Sequence, residues 1–238
     1  MPTINLLYKK QYPINDSIKI TIPTVGEIID DEDNYYSIIT VLTAMPIDLM
    51  LPLHEAGIDY TEISDYDLFL LMSAGLKEQD THLVFGDLDL TKFEISVNPQ
   101  NGKIALYDKD NDIVIDKGIY RQIAGVLRKI HHLEKNRRKP ANKEAKEYML
   151  QRAKDKARRN RNRKQESQLE PLIIAMVNAE QYKYDFEGTR ELSIYQFNES
   201  VRQIIKKVDY DNRMYGIYAG TINAKELSQD DLNWLTHK

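Results

Sequence analysis

Phe93-Glu94-Ile95-Ser96-Val97, then residues 103–107, then Ile113-Val114-Ile115, and after them Ile119, Ile123, Val126, Leu127 and Ile130 form the stretch on which the fold class turns. The first three segments are short and rich in β-branched and aromatic residues. They are joined by Asn98-Pro99-Gln100-Asn101-Gly102 and by Asp108-Lys109-Asp110-Asn111-Asp112. Such links favour turns, because Gly and Asn tolerate left-handed backbone and Asn and Asp bond their own main chain. A three-stranded meander follows, its β region opening near Leu83. The five apolar residues after it recur as one face of a helix that ends near His131 and His132. Strands running straight into an amphipathic helix predict an α+β chain.

Working towards the N-terminus, residues 4–8 and the alternating Ile18, Ile20 and Ile22 flank a Pro13-Ile14-Asn15-Asp16 turn, the pattern of a hairpin with one buried face. Thr24 with Glu27 matches a capping box, residues 34–44 are apolar at helical spacing and stop before Pro46, and Ser64 with Asp67 opens a helix that Gly75 could close. Towards the C-terminus the composition changes. Residues 135–167 are basic and read as a helix or arm exposed on most sides: Pro140 suits a first helical turn, while Ala145, Met149, Ala153 and Ala157 make a stripe too small to bury it. The rest reads as all-helical. Leu169–Val177 is one helix; Ser193 with Gln196 caps another whose face carries Ile194, Phe197, Val201, Ile204, Ile205 and Val208; a shorter turn through Met214, Ile217 and Tyr218 closes at Gly220; and Ser228 with Asp231 caps a last helix with Leu232 and Leu235. The organisation expected is an acidic α+β domain over 1–134, a basic arm over 135–167 and a helical domain over 168–238.

The 238 residues carry 33 Lys plus Arg against 37 Asp plus Glu, a net charge of -4. That average conceals a division, since residues 135–164 hold 14 basic and 3 acidic side chains, whereas residues 1–134 hold 11 basic and 22 acidic ones. An arm of +11 is thus set within an acidic chain. Cysteine is absent, which excludes disulfides, thiolate metal sites and a cysteine nucleophile. The longest apolar runs fall far short of the ~20 residues of a membrane span, and the Met1-Pro2-Thr3-Ile4 start has no basic head or apolar signal core. A soluble cytoplasmic protein without a membrane partner is expected.

Sites for chemistry are tested and set aside. Asp108, Asp110 and Asp112 alternate as in a calcium loop, but the glycine and glutamate such a loop needs at its sixth and twelfth positions are Ile113 and Ile119. Gly102-Lys103 lacks the earlier glycine of a phosphate-binding loop, since position 97 is Val97. His131 and His132 are adjacent on a helix and point about 100° apart, so they read as a helix C-terminus that favours partly cationic imidazole. Asp87, Asp89 and Glu94 could belong to a metal-dependent nuclease, but the lysine expected two residues after Glu94 is Ser96. No catalytic set, cofactor site or metal site emerges, and the chain reads as a non-enzyme.

Two features remain. Residues 157–164 resemble arginine-rich peptides that fold on RNA, so Arg152, Arg158, Arg159, Arg161, Arg163 and Lys164 are candidates for contact with nucleic acid or with an acidic surface. That surface could belong to another protein or to this chain's own acidic part, and the arm could equally be a linker. Tyrosine is the second feature: 15 Tyr stand against 5 Phe, and six of them lie in residues 182–218, where rigid amphipathic rings suit either an interface or a core rim.

The run Leu192-Ser193-Ile194-Tyr195-Gln196-Phe197-Asn198-Glu199-Ser200-Val201-Arg202-Gln203-Ile204, the residues 210–220 and Asp231-Leu232-Asn233-Trp234 resemble proteins of the tail gene clusters of tailed phages infecting Gram-positive bacteria. The resemblance covers mainly the last fifty residues and extends, in front, only to the acidic helical region of residues 24–72. It implies a tail-assembly protein, either a chaperone or a tail-associated component, that binds a tape-measure or tail-tube polypeptide in the host cytoplasm or remains in the virion. Tyr195, Phe197, Val201, Ile205, Tyr215 and Tyr218 would then be partner-binding residues, with self-association into a homo-oligomer also open to them. The leading alternative is a nucleic-acid-binding protein working through residues 135–164.

Overall fold

The computed structural model describes residues 5–98, 102–161 and 166–235, and over these it is a mixed α+β structure with a helical C-terminal part. A hairpin of β1 (Gln11–Pro13) and β2 (Lys19–Thr21) opens the described chain, in the register Tyr12↔Ile20. Its turn is held by Asn15, whose Oδ1 accepts from the backbone N–H of Ser17 and Ile18. The strand expected over residues 4–8 is not there. Ile4 lies outside the described residues, and residues 5–8 form a turn in which Asn5 accepts from the N–H of Leu7. A side chain that bonds its own backbone competes with strand pairing, and of this segment only Leu6 enters the core.

Five helices pack next. The capping box of Thr24 and Glu27 starts α1 (Val25–Asp30), and α2 (Glu32–Thr43) follows, two residues earlier than its apolar pattern began, and ends before Pro46. After α3 (Met50–Glu55), Ser64 caps α4 (Asp65–Met72) by accepting from the N–H of Asp67. Gly75 does not close α4. The chain tightens instead into a 3₁₀ turn, Ser73–Glu78, that passes through Gly75, with the Ser73 hydroxyl donating to the Leu70 carbonyl. Leu83 begins no strand either: it sits in α5 (His82–Phe85), started by Asp80 accepting from the N–H of His82, and Val84 and Phe85 both face the core.

A second 3₁₀ turn, Leu90–Lys92, leads to the meander of β3 (Glu94–Val97), β4 (Ile104–Asp108) and β5 (Ile113–Ile115), antiparallel in that order and in the register Ile95↔Leu106 and Tyr107↔Val114. From β5 the chain enters α6 (Lys117–Ile130), whose cap Asp116 accepts from the N–H of Gly118 and Ile119. Tyr120, Ile123, Ala124, Val126, Leu127, Arg128 and Ile130 are all buried and form one broad face of α6. It packs on α2, α4, β2 and β5, with Tyr120 stacked on Phe69 at 4.6 Å between ring centres. Arg128 is buried as well. Its Nη2 donates to the Thr43 carbonyl at 2.6 Å, satisfying an acceptor that the end of α2 leaves without an intrahelical partner.

The basic region does not begin helical at Pro140. It crosses the surface without regular structure to Asn142, which accepts from the N–H of Ala145 and caps α7 (Lys143–Asn160). Then come α8 (Leu169–Val177), α9 (Phe186–Glu191) and α10 (Ile194–Tyr218), the last opened by the capping box of Ser193 and Gln196. Residues 194–218 are therefore one continuous helix, not a helix followed by a separate turn, and Gly220, at φ +71°, terminates it. Ser228 does accept from the N–H of Asp231, but no helix follows; residues 224–235 hold one 3₁₀ turn, Ala224–Glu226, and further turns.

Leu169, Met176, Tyr182, Ile194 and Phe197 belong to the same hydrophobic core as Leu6, Ile38, Phe69 and Ile123. A smaller cluster of Ala44, Ile47, Leu53, Tyr60 and Leu68 receives Leu150 of α7. Because Ile123 is fully buried on the core face of α6, Ile123→Ala is expected to lower the unfolding free energy by about 2–5 kcal/mol. Gln122→Ala, on the exposed side of the same helix, should stay within about 0.5 kcal/mol; urea denaturation of the two variants checks both values.

Candidate functional site

Three of the carboxylates weighed for metal chemistry, Asp108, Asp112 and Asp89, are engaged locally. Asp108 is buried at the end of β4, where its carboxylate accepts from the side-chain amide of Asn111 and from the backbone N–H of Asp110 and Asn111, bonds that hold its pKa below the usual range. Asp112 accepts from the Tyr107 hydroxyl, and Asp89 caps the 3₁₀ turn through the N–H of Thr91. Among the described residues no group of three or more His, Asp or Glu is placed to hold a metal ion.

His131 and His132 depart from the partly cationic state expected of them. His131 Nε2 lies 2.9 Å from the Tyr35 hydroxyl, and burial, then the charge of His132, lowers its pKa from 6.5 to about 4. Burial also lowers His132, against the pull of Glu199 at 3.7 Å. Desolvation thus outweighs the helix terminus, and the neutral ring is the form folding selects. With the folded pKa depressed, this contribution to stability is complete above about pH 6.5 and is lost as the pH falls towards about 4. His131→Gln should flatten that limb of the stability–pH curve measured by urea denaturation.

Two surfaces remain, one on α7 and one on α10. The first half of α7 is fastened to the body. Leu150 enters the second cluster beside half-buried Met149, and the Lys146 ammonium pairs with Asp59 and sits 5.5 Å from the centre of the Tyr60 ring. The hydrogen bond from Lys146 is the largest cause of the drop in the Asp59 pKa to about 2. In the segment before α7, Lys135 pairs with Asp65 at 3.8 Å and the Asn136 amide donates to Asp48. Beyond Leu150 the helix runs along an open groove beside α3: Arg152, Lys154, Lys156, Arg158, Arg159 and Arg161 are all exposed, and among the described residues none of them forms an ion pair with a carboxylate. Arg159 donates its Nε to the Asp155 carbonyl. The arm is accordingly less free than expected at its start and as exposed as expected at its end. Arg163 and Lys164 lie outside the described residues. Sequence reasoning left out Arg138, which lines both the groove under residues 135–140 and the groove between α3 and α7. Its charge was visible in the sequence, but only the fold brings it to α7.

On α10 the expected partner-binding set divides. Phe197 is fully buried, with an edge-to-face contact to Tyr182, so it is a core residue and presents nothing to a partner. Tyr195 and Val201 are half-buried against the core, and Asn198 donates to the Ile130 carbonyl at 3.0 Å, tying this half of the helix to α6. Past Ile204 the helix emerges: Ile205 is 62% exposed, Tyr215 74% and Tyr218 80%, with Val208 between them. Residues 221–235 return along another side of this outer half. Ile222 packs over Gly216, where an added Cβ would come within 2.5 Å of it; Asp231 pairs with Arg213 at 2.7 Å; and the Trp234 ring lies 5.7 Å from the Lys207 ammonium.

Residues 161–238, about a third of the chain, match the family model described as the YomV second domain. The match contains α8, α9, α10 and the returning segment, and it begins just after α7 ends. No curated protein and no solved structure matches the chain. No helix of the described residues is long and apolar enough to cross a membrane.

The division of α10 has a measurable consequence. Phe197→Ala should cost about 3–5 kcal/mol of stability, whereas Ile205→Ala and Tyr215→Ala should each change it by no more than about 0.5 kcal/mol, as read by thermal melting and urea unfolding.

Proposed function

We propose that the protein is a non-enzymatic assembly protein of a phage-related system, holding a tail polypeptide of the tape-measure or tail-tube kind through the outer half of α10. The observation that carries this reading is the apolar stripe of Ile205, Val208 and Tyr215, which continues the core-facing pattern of Ile194, Phe197 and Val201 outside the protein's own core. A helix whose pattern runs on past its core offers a ready groove edge for an amphipathic helical segment of a partner. Residues 221–235, a run of turns, pack against another side of the same half and leave this stripe exposed. The YomV second domain match includes this element, and so does the resemblance to tail gene-cluster proteins. The reading places the protein in the host cytoplasm during assembly, with retention in the virion as its other form.

Co-expression with the tape-measure and tail-tube polypeptides of its own gene cluster should yield a co-purifying complex. The double variant Ile205→Asp, Tyr215→Asp should lose that complex while melting as the parent does. Retention of the complex by the variant, or a chain that ignores every tail polypeptide and only pairs with itself, would contradict the reading.

A further inference from the structure

We infer that the outer half of α7 is a binding surface for duplex DNA, held through the phosphate backbone. The first observation is electrostatic. Among the described residues the acidic body pairs with the basic segment at Lys135 and Lys146, while Lys143 pairs with Glu147 of its own helix. Among the same residues the exposed cations beyond Leu150 have no carboxylate partner.

The second observation is their arrangement. Arg152, Lys156 and Arg159 fall at i, i+4 and i+7, as do Lys154, Arg158 and Arg161. Two such rows started two residues apart lie about 200° from each other around a helix of 3.6 residues per turn. The helix therefore carries a row of cations on each flank, and the ridge between them that faces away from the body holds Gln151 and Asp155, hydrogen-bonded to each other at 3.1 Å. A rod charged along both flanks fits between two lines of anions better than it fits one flat acidic surface.

The two phosphate backbones that border a groove are such lines. The major groove of B-DNA, about 12 Å wide, admits a helix of about 10–12 Å diameter, whereas that of duplex RNA is deep and narrow. Single strands bind through stacking on aromatic rings, and of the aromatic residues on α7 there is one, Tyr148, whose ring already lies 5.9 Å from the Arg152 guanidinium. Arg138, across the groove from Arg152 and Lys156, extends the positive surface onto the body.

Fluorescence anisotropy with a labelled DNA duplex tests this on the full chain. About four phosphate contacts should give a slope of log affinity against log salt near −3.6, a loss of roughly 10²-fold between about 50 and 200 mM salt. The triple variant Arg152→Gln, Lys156→Gln, Arg159→Gln should lower affinity at least tenfold and bring the slope to about −1. Lys10→Gln, Lys183→Gln, Lys225→Gln, which removes the same charge from other exposed positions, should change neither. If the triple variant does not melt as the parent does, Lys154→Gln, Arg158→Gln serves in its place and should lower the slope by about 2. The inference is overturned by the absence of binding at about 50 mM salt, by an equal effect of the control triple, by an unchanged slope in the α7 variants, or by tighter binding to single-stranded nucleic acid, duplex RNA or polyglutamate.

Discussion

The enclosure of α6 is the constraint on which the rest of the structure depends. Seven of its fourteen residues are buried, among them Arg128 and Tyr120, and together they fill one broad face of about 200°. A face that broad needs more than one neighbour to cover it. The meander covers part of it through β5, α2 and α4 cover more, and the side near Ile130 is closed by α10. The C-terminal part is thus drawn into the same core as the N-terminal part, across the whole of the basic arm.

That attachment has a specific device. Thr24 and Ser193 are the N-caps of α1 and α10, and the backbone of an N-cap residue is extended. Here the two extended caps meet in an antiparallel bridge, with the Val25 N–H donating to the Leu192 carbonyl and the Ile194 N–H to the Pro23 carbonyl, both at 2.8 Å. Each of these N–H groups belongs to a helix's first turn, where no intrahelical acceptor exists. The bridge fixes where α10 begins. Its length then decides that the second half overshoots the body, leaving Ile205, Tyr215 and Tyr218 to solvent. Similarly, α7 is pinned by Leu150 and Lys146 near its middle and overshoots with its cations. Both candidate surfaces are exposed faces on the outer halves of helices whose first halves are anchored in the body.

Much of this was legible in the sequence. Both capping boxes, the meander with its two turns, the buried face of α6 and the uneven charge are local patterns that the residues state outright. What was not legible depends on distant partners. Asn5 turned residues 5–8 away from a strand, and where a β region was expected to open near Leu83 a helical turn brings the adjacent Val84 and Phe85 both into the core. Phe197 and Ile205 sit in one periodic stripe, and no property of the stripe tells which end lies under α6. The pairing of Lys146 with Asp59 and the freedom of Arg152 likewise follow from where acidic residues arrive in space. The histidines show the same limit: a helix terminus is visible in sequence, while the burial that overrides it is not.

One core, built around α6, includes the start of α10, and the outer halves of α7 and α10 stand outside it. Native-state hydrogen exchange resolved by peptide measures this directly. Residues 194–201 should exchange with α6, at the rate of global unfolding, while residues 205–235 and 152–161 exchange through smaller openings. Exchange of residues 194–201 well ahead of α6, or protection of residues 152–161 equal to that of α6, would contradict it.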